Sequence, residues 1–233
     1  PMPVLLRENY WILETEHTAY ALALTPRGLL VHAYWGPRLP RPEDYPVPVD
    51  VNSWPSFSGP SHLMPEEYPA YAGTKFVEPC LKTTFADGVR DTVLHFVGAD
   101  VQPGDKPTLR VTLRDDYCPL AVILCYRAHE QHDLIERWVE ISNEGETPVN
   151  LERALSALWH LPWGGNYRLS YLTGRWFDEW QIRREILQTG VKAIESRRLT
   201  TSHAFNTWFA LDRGGADERQ GEVWFGVLAW SGN

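Results

Sequence analysis

The sequence predicts an all-β fold of antiparallel strands, and three features carry that prediction. Short apolar runs separated by turn residues recur along the whole chain. Residues 134–141 alternate, with Ile135, Arg137, Val139 and Ile141 on one face and Glu136, Trp138 and Glu140 on the other. Two apolar-aromatic runs, 206–211 and 222–230, flank a polar insert whose Gly214, Gly215, Asp217 and Glu218 mark a connection between antiparallel strands. The second run is apolar from Val223 to Trp230, the pattern of a strand covered on both faces. Ser231-Gly232-Asn233 follows at once, so the sequence reads as a fragment cut inside a longer protein.

The first strands are expected at 4–6, 11–15, 20–24 and 29–35, divided by Asn9, His17 and the Pro26-Arg27-Gly28 turn. Residues 18–25 have helical propensity, but their shortness and the turn after them favour a hairpin. Residues 36–71 break the pattern with nine prolines, which forbid a long helix or a central strand. Tyr45, Trp54, Phe57, Tyr68 and Tyr71 argue against disorder there, so we expect an ordered arm that docks on something. Strands resume at 76–85, before the Ala86-Asp87-Gly88 turn, and at 92–97, 109–113 and 120–126. After the Asn143-Glu144-Gly145 turn come a long strand at 149–161 and strands at 167–172 and 175–182. Internal repeats, low-complexity tracts and heptads are absent from the sequence.

Composition narrows the partners. The net charge of -8, without a basic run, argues against nucleic acid and against anionic membrane surfaces. No apolar run approaches the ~18 residues that span a bilayer. The first residues lack a basic, signal-like region. Cys80, Cys118 and Cys125 are odd in number and lack CxxC spacing, which suits free thiols in a reducing cytoplasm rather than a disulfide framework or zinc. Eleven Trp and ten Tyr suit either the core of a wide β-sandwich or flat faces that meet sugar rings.

Several motifs in order resemble one family. Leu29 through Gly36 carries an LxHxYWG pattern; Phe57-Ser58 and Glu67-Tyr68-Pro69-Ala70-Tyr71 follow, then Leu151-Glu152-Arg153-Ala154-Leu155-Ser156-Ala157. Gly174-Arg175-Trp176, Ser196-Arg197-Arg198, Thr201-Ser202-His203, Asn206, Gly221-Glu222-Val223 and Trp230-Ser231-Gly232-Asn233 complete the series. Together they resemble the N-terminal domain of glycoside hydrolase family 36, the bacterial and fungal α-galactosidases, from about Leu29 to Asn233. The resemblance implies a large two-sheet antiparallel β supersandwich over residues 1–233, with a catalytic (β/α)8 barrel and a C-terminal β domain lying outside this chain. It implies a retaining hydrolase of terminal α-linked galactose in melibiose- and raffinose-type sugars, with no cofactor, and a homo-oligomer, a tetramer in several relatives. The implied partners are the barrel of the same protein and a galactoside.

The resemblance also implies that the catalytic aspartates sit on the barrel, so no catalytic residue is assigned here, and the isolated chain is expected to be inactive. The arm is expected to border a neighbouring subunit's site through Asp50, Trp54 and Phe57. For Trp54, sugar stacking and packing on the sandwich are both open. Tyr68, Pro69 and Tyr71 are expected to anchor the arm by burying two Tyr rings, and Ser202, His203 and Asn206 to be structural or to line the barrel interface. Glu136 and Glu140, spaced i, i+4 on a strand, lie ~13 Å apart, too far for a retaining pair. They read as a solvated face, as do Asp115-Asp116 and Glu66-Glu67 at turns. His129, His132 and Asp133 lack a third ligand at recognisable spacing, so no metal is assigned. Two other classes remain: a stand-alone carbohydrate-binding β-sandwich, and a mutarotase-like or family 31-like sugar enzyme.

Overall fold

Fourteen strands and two single-turn 3-10 helices make up the regular structure among the described residues. The computed structural model describes residues 4–49, 64–73, 75, 77–195 and 205–229. These fall into two compact units, residues 1–161 and 162–233, each described by itself below.

The first unit opens with the meander β1 (Val4–Arg7), β2 (Tyr10–Glu14), β3 (Thr18–Leu24) and β4 (Leu30–Pro37), paired in that order. A second meander, β6 (Leu94–Gln102), β7 (Thr108–Asp115), β8 (Leu120–His129) and β9 (Leu134–Asn143), is also paired in order. Every strand pairing in the two sheets is antiparallel. The inward residues of both sheets form one core, where Leu13, Tyr20 and Leu22 join Leu109, Val111, Val122, Leu124 and Tyr126. The rings of Trp11 and Phe96 meet across it at 5.5 Å. Two sheets sharing one apolar layer make a β-sandwich.

The first sheet is also covered on its outer side. Tyr10, Ile12, Ala19, Ala21 and Ala23 form a second apolar cluster that Tyr45 closes. Tyr45 follows the 3-10 turn Pro42–Asp44, and its hydroxyl donates to Glu14 at 2.9 Å and accepts the Leu39 N–H at 3.0 Å. Three alanines on one face let that segment lie close to β3. This double burial explains why residues 18–24 are helix-like in composition and still form a strand, as the turn signals predict.

β5 (Leu81–Thr84) pairs with β10 (Asn150–Ala154), and its Leu81 also bridges Ala70. Here two expectations fail. The strand expected at 76–85 shortens to β5, and the long strand at 149–161 ends at Ala154. Beyond Ala154 the backbone is taken up by other partners: Leu155 O accepts the Tyr68 hydroxyl and Leu158 O accepts Arg137 Nη1. Carbonyls bound by side chains cannot extend a ladder.

The second unit holds one antiparallel sheet of β11 (Arg168–Arg175), β12 (Asp178–Ile186), β13 (Phe205–Asp212) and β14 (Val223–Val227), ordered β12-β11-β13-β14. The expected strands at 167–172 and 175–182 are one hairpin whose loop is Trp176-Phe177, between the paired Arg175 and Asp178. Gly174, which looks like the turn residue, sits at a register shift in β11 instead. The chain between β13 and β14 is the polar connection foreseen, turning on Gly214 and Gly221, both at positive φ.

All three cysteines are free thiols; Cys80 and Cys125 are buried and Cys118 is partly exposed. Burial pushes the thiols of Cys80 and Cys125 up to about 12. In native protein at pH 8, we expect an aromatic disulfide reagent to label Cys118 first, and the other two only after denaturant is added. Fast labelling of Cys80 in native protein would contradict a closed core.

Candidate functional site

The arm returns to the sandwich at residues 64–71, where its backbone is fixed at both sides. His32 N–H donates to Pro65 O at 2.8 Å and Glu67 N–H to Leu30 O at 3.0 Å, so the returning chain runs beside β4. Tyr71 N–H then donates to Leu81 O, and Cys80 N–H to Pro69 O, which joins it to β5. Glu67 is carried by this geometry into the core, where it is fully buried.

A buried carboxylate requires charge and hydrogen bonds around it. Glu67 Oε1 accepts the hydroxyls of Tyr20 and Tyr126, each at 2.7 Å, and Arg137 Nη1 lies 2.9 Å away. The same guanidinium donates to the backbone carbonyls of Glu67 (2.9 Å) and Leu158 (2.7 Å) and lies over the Tyr126 ring. Burial opposes the Arg137 charge, yet Glu67 and the two phenols outweigh it and raise its pKa. Burial, reinforced by Glu67, holds both phenols well above their ordinary range, so they remain donors. The reading of Glu66-Glu67 as solvated is therefore wrong. Glu66 is buried as well, paired with Lys75 at 2.8 Å. A one-dimensional pattern cannot show that an arm folds a turn into a core.

His32 of β4 lies under the same root. Its ring contacts Tyr20 at 5.1 Å and His160 at 5.7 Å, while His160 Nε2 donates to Glu66 O at 3.0 Å. Burial lowers the His32 pKa to about 4; Glu67 opposes the shift, and His160 and Arg137 add to it. The imidazole is thus neutral across the physiological range.

Of the residues expected to carry function, Asp50, Trp54, Phe57, Ser202 and His203 lie outside the described residues. Tyr68 is buried and bonded to Leu155 O at 2.9 Å, and Pro69 O joins β5, as anchoring requires. Tyr71 departs from expectation: it is 44% exposed, with the cations of Lys82 and Arg90 over its ring at 5.3 and 5.4 Å. One Tyr ring is buried and the other lies at the surface. Asn206 caps its own strand, its Oδ1 accepting the Trp208 N–H at 3.0 Å.

The acidic strand face is a set of ion pairs. Glu140 is held by both Arg110 nitrogens at 2.9 and 2.7 Å, which lowers its pKa to about 2. Glu136 meets Arg127 at 3.2 Å and His129 at 3.1 Å. Asp133 binds His17 and Thr15, each at 2.7 Å, and ties the β2–β3 loop to the β8–β9 loop. Each of these carboxylates is engaged by a basic or hydroxyl partner. Asp116 pairs with His95 at 2.8 Å, and Asp115 accepts the Tyr117 and Cys118 N–H groups. Among the described residues no group of three or more His, Cys, Asp or Glu is placed to hold a metal.

A feature that the sequence reading missed is the tip of the β11–β12 hairpin. Trp176, Phe177 and Trp180 are 70%, 87% and 68% exposed, and Trp176 and Phe177 meet edge to face at 5.2 Å. Phe177 and Trp180 have φ of 66° and 61°, a left-handed backbone that bulky residues rarely adopt. Such strain at exposed aromatics makes this tip a candidate functional surface. The signal was present as three aromatics within Gly174-Arg175-Trp176-Phe177-Asp178-Glu179-Trp180, masked by expecting a strand to run from 175 to 182.

Two measurements test the buried cluster. Arg137→Ala strands a buried carboxylate and is expected to cost about 3–5 kcal/mol of stability, while Glu67→Leu with Arg137→Met recovers at least half of it, read from urea midpoints. Equal loss in the single and double variants would contradict this. His32 is neutral in the folded chain but protonates below ~6.5 when unfolded. Its contribution is therefore complete above pH 6.5 and is lost as pH falls toward 4, by about 3 kcal/mol in all. In His32→Leu that part of the pH dependence should vanish when unfolding free energies are compared between pH 7 and 4.

Comparison with known proteins places these features. The family model described as "Glycosyl hydrolase family 36 N-terminal domain" matches residues 28–233. Alpha-galactosidase AgaA of Geobacillus stearothermophilus is 33% identical over 95% of this chain and 33% of its own length. The bifunctional alpha-galactosidase/sucrose kinase AgaSK of Mediterraneibacter gnavus is 27% identical over 97% of this chain and 26% of its own. The crystal structure of the GH36 alpha-galactosidase AgaB from Geobacillus stearothermophilus superposes with a TM-score of 0.84 and 30% identity over 95% of this chain and 34% of that one. This chain therefore spans about a third or less of the length of these relatives. Its match to the family model across residues 28–233 shows that the chain belongs to the glycosyl hydrolase family 36 N-terminal domains.

Proposed function

We propose that this chain is the N-terminal β-supersandwich domain of a retaining α-galactosidase that removes terminal α-linked galactose from melibiose- and raffinose-type oligosaccharides. The match across residues 28–233, to a domain whose relatives are α-galactosidases about three times as long, carries the reading. One of those relatives, a variant of AgaA, is described in complex with raffinose. The domain serves as scaffold, oligomer contact and partial wall of the sugar site, and a separate barrel holds the nucleophile and the acid/base. Ion-paired Glu136 and Glu140 support the absence of a catalytic pair from this part of the protein. The three unpaired cysteines support a reducing, cytoplasmic location. The full protein works as a homo-oligomer, a tetramer, in which Asp50, Trp54 and Phe57 reach a neighbouring subunit's sugar. The Glu67–Arg137 cluster supports this by fixing residues 64–71, which follow them in sequence. The exposed hairpin aromatics Trp176, Phe177 and Trp180 add a second surface on which a sugar ring can stack.

The isolated chain is expected to fold and to leave p-nitrophenyl α-galactoside intact, while the longer protein hydrolyses it. Activity that copurifies with the isolated chain would sink the assignment of roles. In the longer protein, Trp54→Ala and Trp176→Ala are each expected to lower kcat/KM for melibiose tenfold or more, about 1.4 kcal/mol, with Tm unchanged. A lower Tm with unchanged kcat/KM would make either Trp a packing residue.

A further inference from the structure

The arm leaves β4 at Pro37 and packs on the outer side of the first sheet before residue 49. Side chains and backbone bond this crossing to the strands beneath it. Arg38 N–H donates to His17 O at 2.7 Å, and its guanidinium pairs with Glu14 at 3.0 Å. Arg7 pairs with Glu43 at 2.7 Å, and the Tyr10 hydroxyl donates to Pro46 O at 2.8 Å. Tyr45 belongs to the same set of contacts and is only 2% exposed. Its ring meets Tyr34 edge to face at 5.2 Å, and its hydroxyl links the Leu39 N–H to the buried carboxylate of Glu14.

Burial decides which of these contacts holds the crossing. Arg7, Glu43 and Arg38 have exposed side chains, and ion pairs with exposed members contribute little. Tyr45 is closed off from water, so both its ring and its two hydrogen bonds count in full. Its cluster is also separate from the sandwich core. Tyr10, Ile12, Ala19, Ala21 and Ala23 pack with Tyr45, whereas Leu13, Tyr20 and Leu22 pack with the second sheet. Loss of Tyr45 is therefore felt by the crossing before it is felt by the core. Downstream, Pro46 and Pro48 fix φ at two of the next three positions, which carries the direction set at Tyr45 as far as Val49.

We infer that Tyr45 is a positioning residue for the sugar site: it fixes where the arm departs, as Glu67 and Arg137 fix where it returns. The inference rests on the reading under Proposed function that Asp50, Trp54 and Phe57 border that site. A segment held at both ends has fewer arrangements to lose on meeting a sugar, which lowers the cost of binding. Tyr45 is buried against its own sheet and acts on the sugar only through the arm. Its effect must therefore vanish once the arm's own contact residue is removed.

The test is a kinetic cycle in the longer protein with Tyr45→Ala, Tyr45→Phe, Trp54→Ala and the double variant Tyr45→Ala/Trp54→Ala. Melibiose hydrolysis is read at a temperature where circular dichroism shows all four folded, alongside hydrogen exchange of residues 38–49 and of β8. We expect Tyr45→Ala to speed exchange at 38–49, leave β8 protected and lower kcat/KM about tenfold. Tyr45→Phe keeps the ring and is expected to recover at least about a third of the wild-type kcat/KM. The double variant is expected to be no slower than Trp54→Ala within about twofold. Additive losses, or an unchanged kcat/KM in Tyr45→Ala while Trp54→Ala is impaired, would overturn this inference alone. Faster exchange in β8 as well would make Tyr45 a general packing residue and overturn it too. If Trp54→Ala leaves kcat/KM unchanged, the reading of the arm fails and the reaction role of Tyr45 fails with it.

Discussion

A buried ion pair sets the terms for the first unit. Glu67 and Arg137 are both almost wholly removed from water. Two such charges carry a desolvation cost of several kcal/mol each, which their mutual attraction offsets only when the remaining polar atoms are bonded too. The sequence meets most of that condition from five places: Tyr20 on β3, Tyr126 on β8, Arg137 on β9, the arm root at Glu67 and the carbonyl of Leu158, while Glu67 Oε2 and Arg137 Nε stay without a hydrogen-bond partner. Removing any one leaves a charge or a lone pair stranded in the core. The two sheets, the arm and the chain after β10 are thereby locked in one arrangement. Such a pair contributes less to net stability than to uniqueness: an apolar cluster of the same volume would pack as well but would not specify where the arm returns.

That lock explains why irregular chain is tolerated inside the unit. Residues 155–160 form no strand, and buried backbone without a ladder is costly. Their carbonyls are instead bound by Arg137 and by Tyr68, and His160 reaches back to Glu66. Side chains of the arm root and of this segment thus hold each other, in addition to the backbone bonds that tie the root to β4 and β5. His32 lies beneath both, neutral because burial excludes its charge. A proton there would place a third charge beside Arg137, so acid acts first on the arm root rather than on the apolar layer between Leu13 and Leu124.

The legible parts of the fold are those governed by local pattern. Alternation placed Arg137 on the inward face of β9, among Ile135, Val139 and Ile141, before any partner for it was visible. Turn residues separated β1 to β4 correctly, and the Gly214–Gly221 connection stood where the polar insert predicted. The failures share one cause. Glu67, the shortened β10 and the exposed Tyr71 depend on where a distant segment lands, and sequence spacing holds no such distance. The hairpin tip failed differently. Turn chemistry favours Gly174, but the chain turns at Trp176-Phe177 with bulky residues in a left-handed backbone. A local turn rule broken there is invisible to reasoning from turn chemistry alone. Of the candidate site, the burial of Tyr68 was legible, while the exposure of Tyr71 and the aromatic tip were missed.

The two units solve the burial of wide sheets in different ways, and the difference bears on what each does. In the first, β3 is covered on both sides from within, by the sandwich core and by the Tyr45 segment over its alanines. Its composition and its surroundings agree. In the second, β14 has the composition of a doubly covered strand and only one cover. An apolar strand face left open to water is unfavourable by ~25 cal/mol for each Å² of apolar surface and invites edge and face association. The first unit buries its wide sheet from within, whereas the second leaves an aromatic hairpin tip and the outer side chains of β14 exposed.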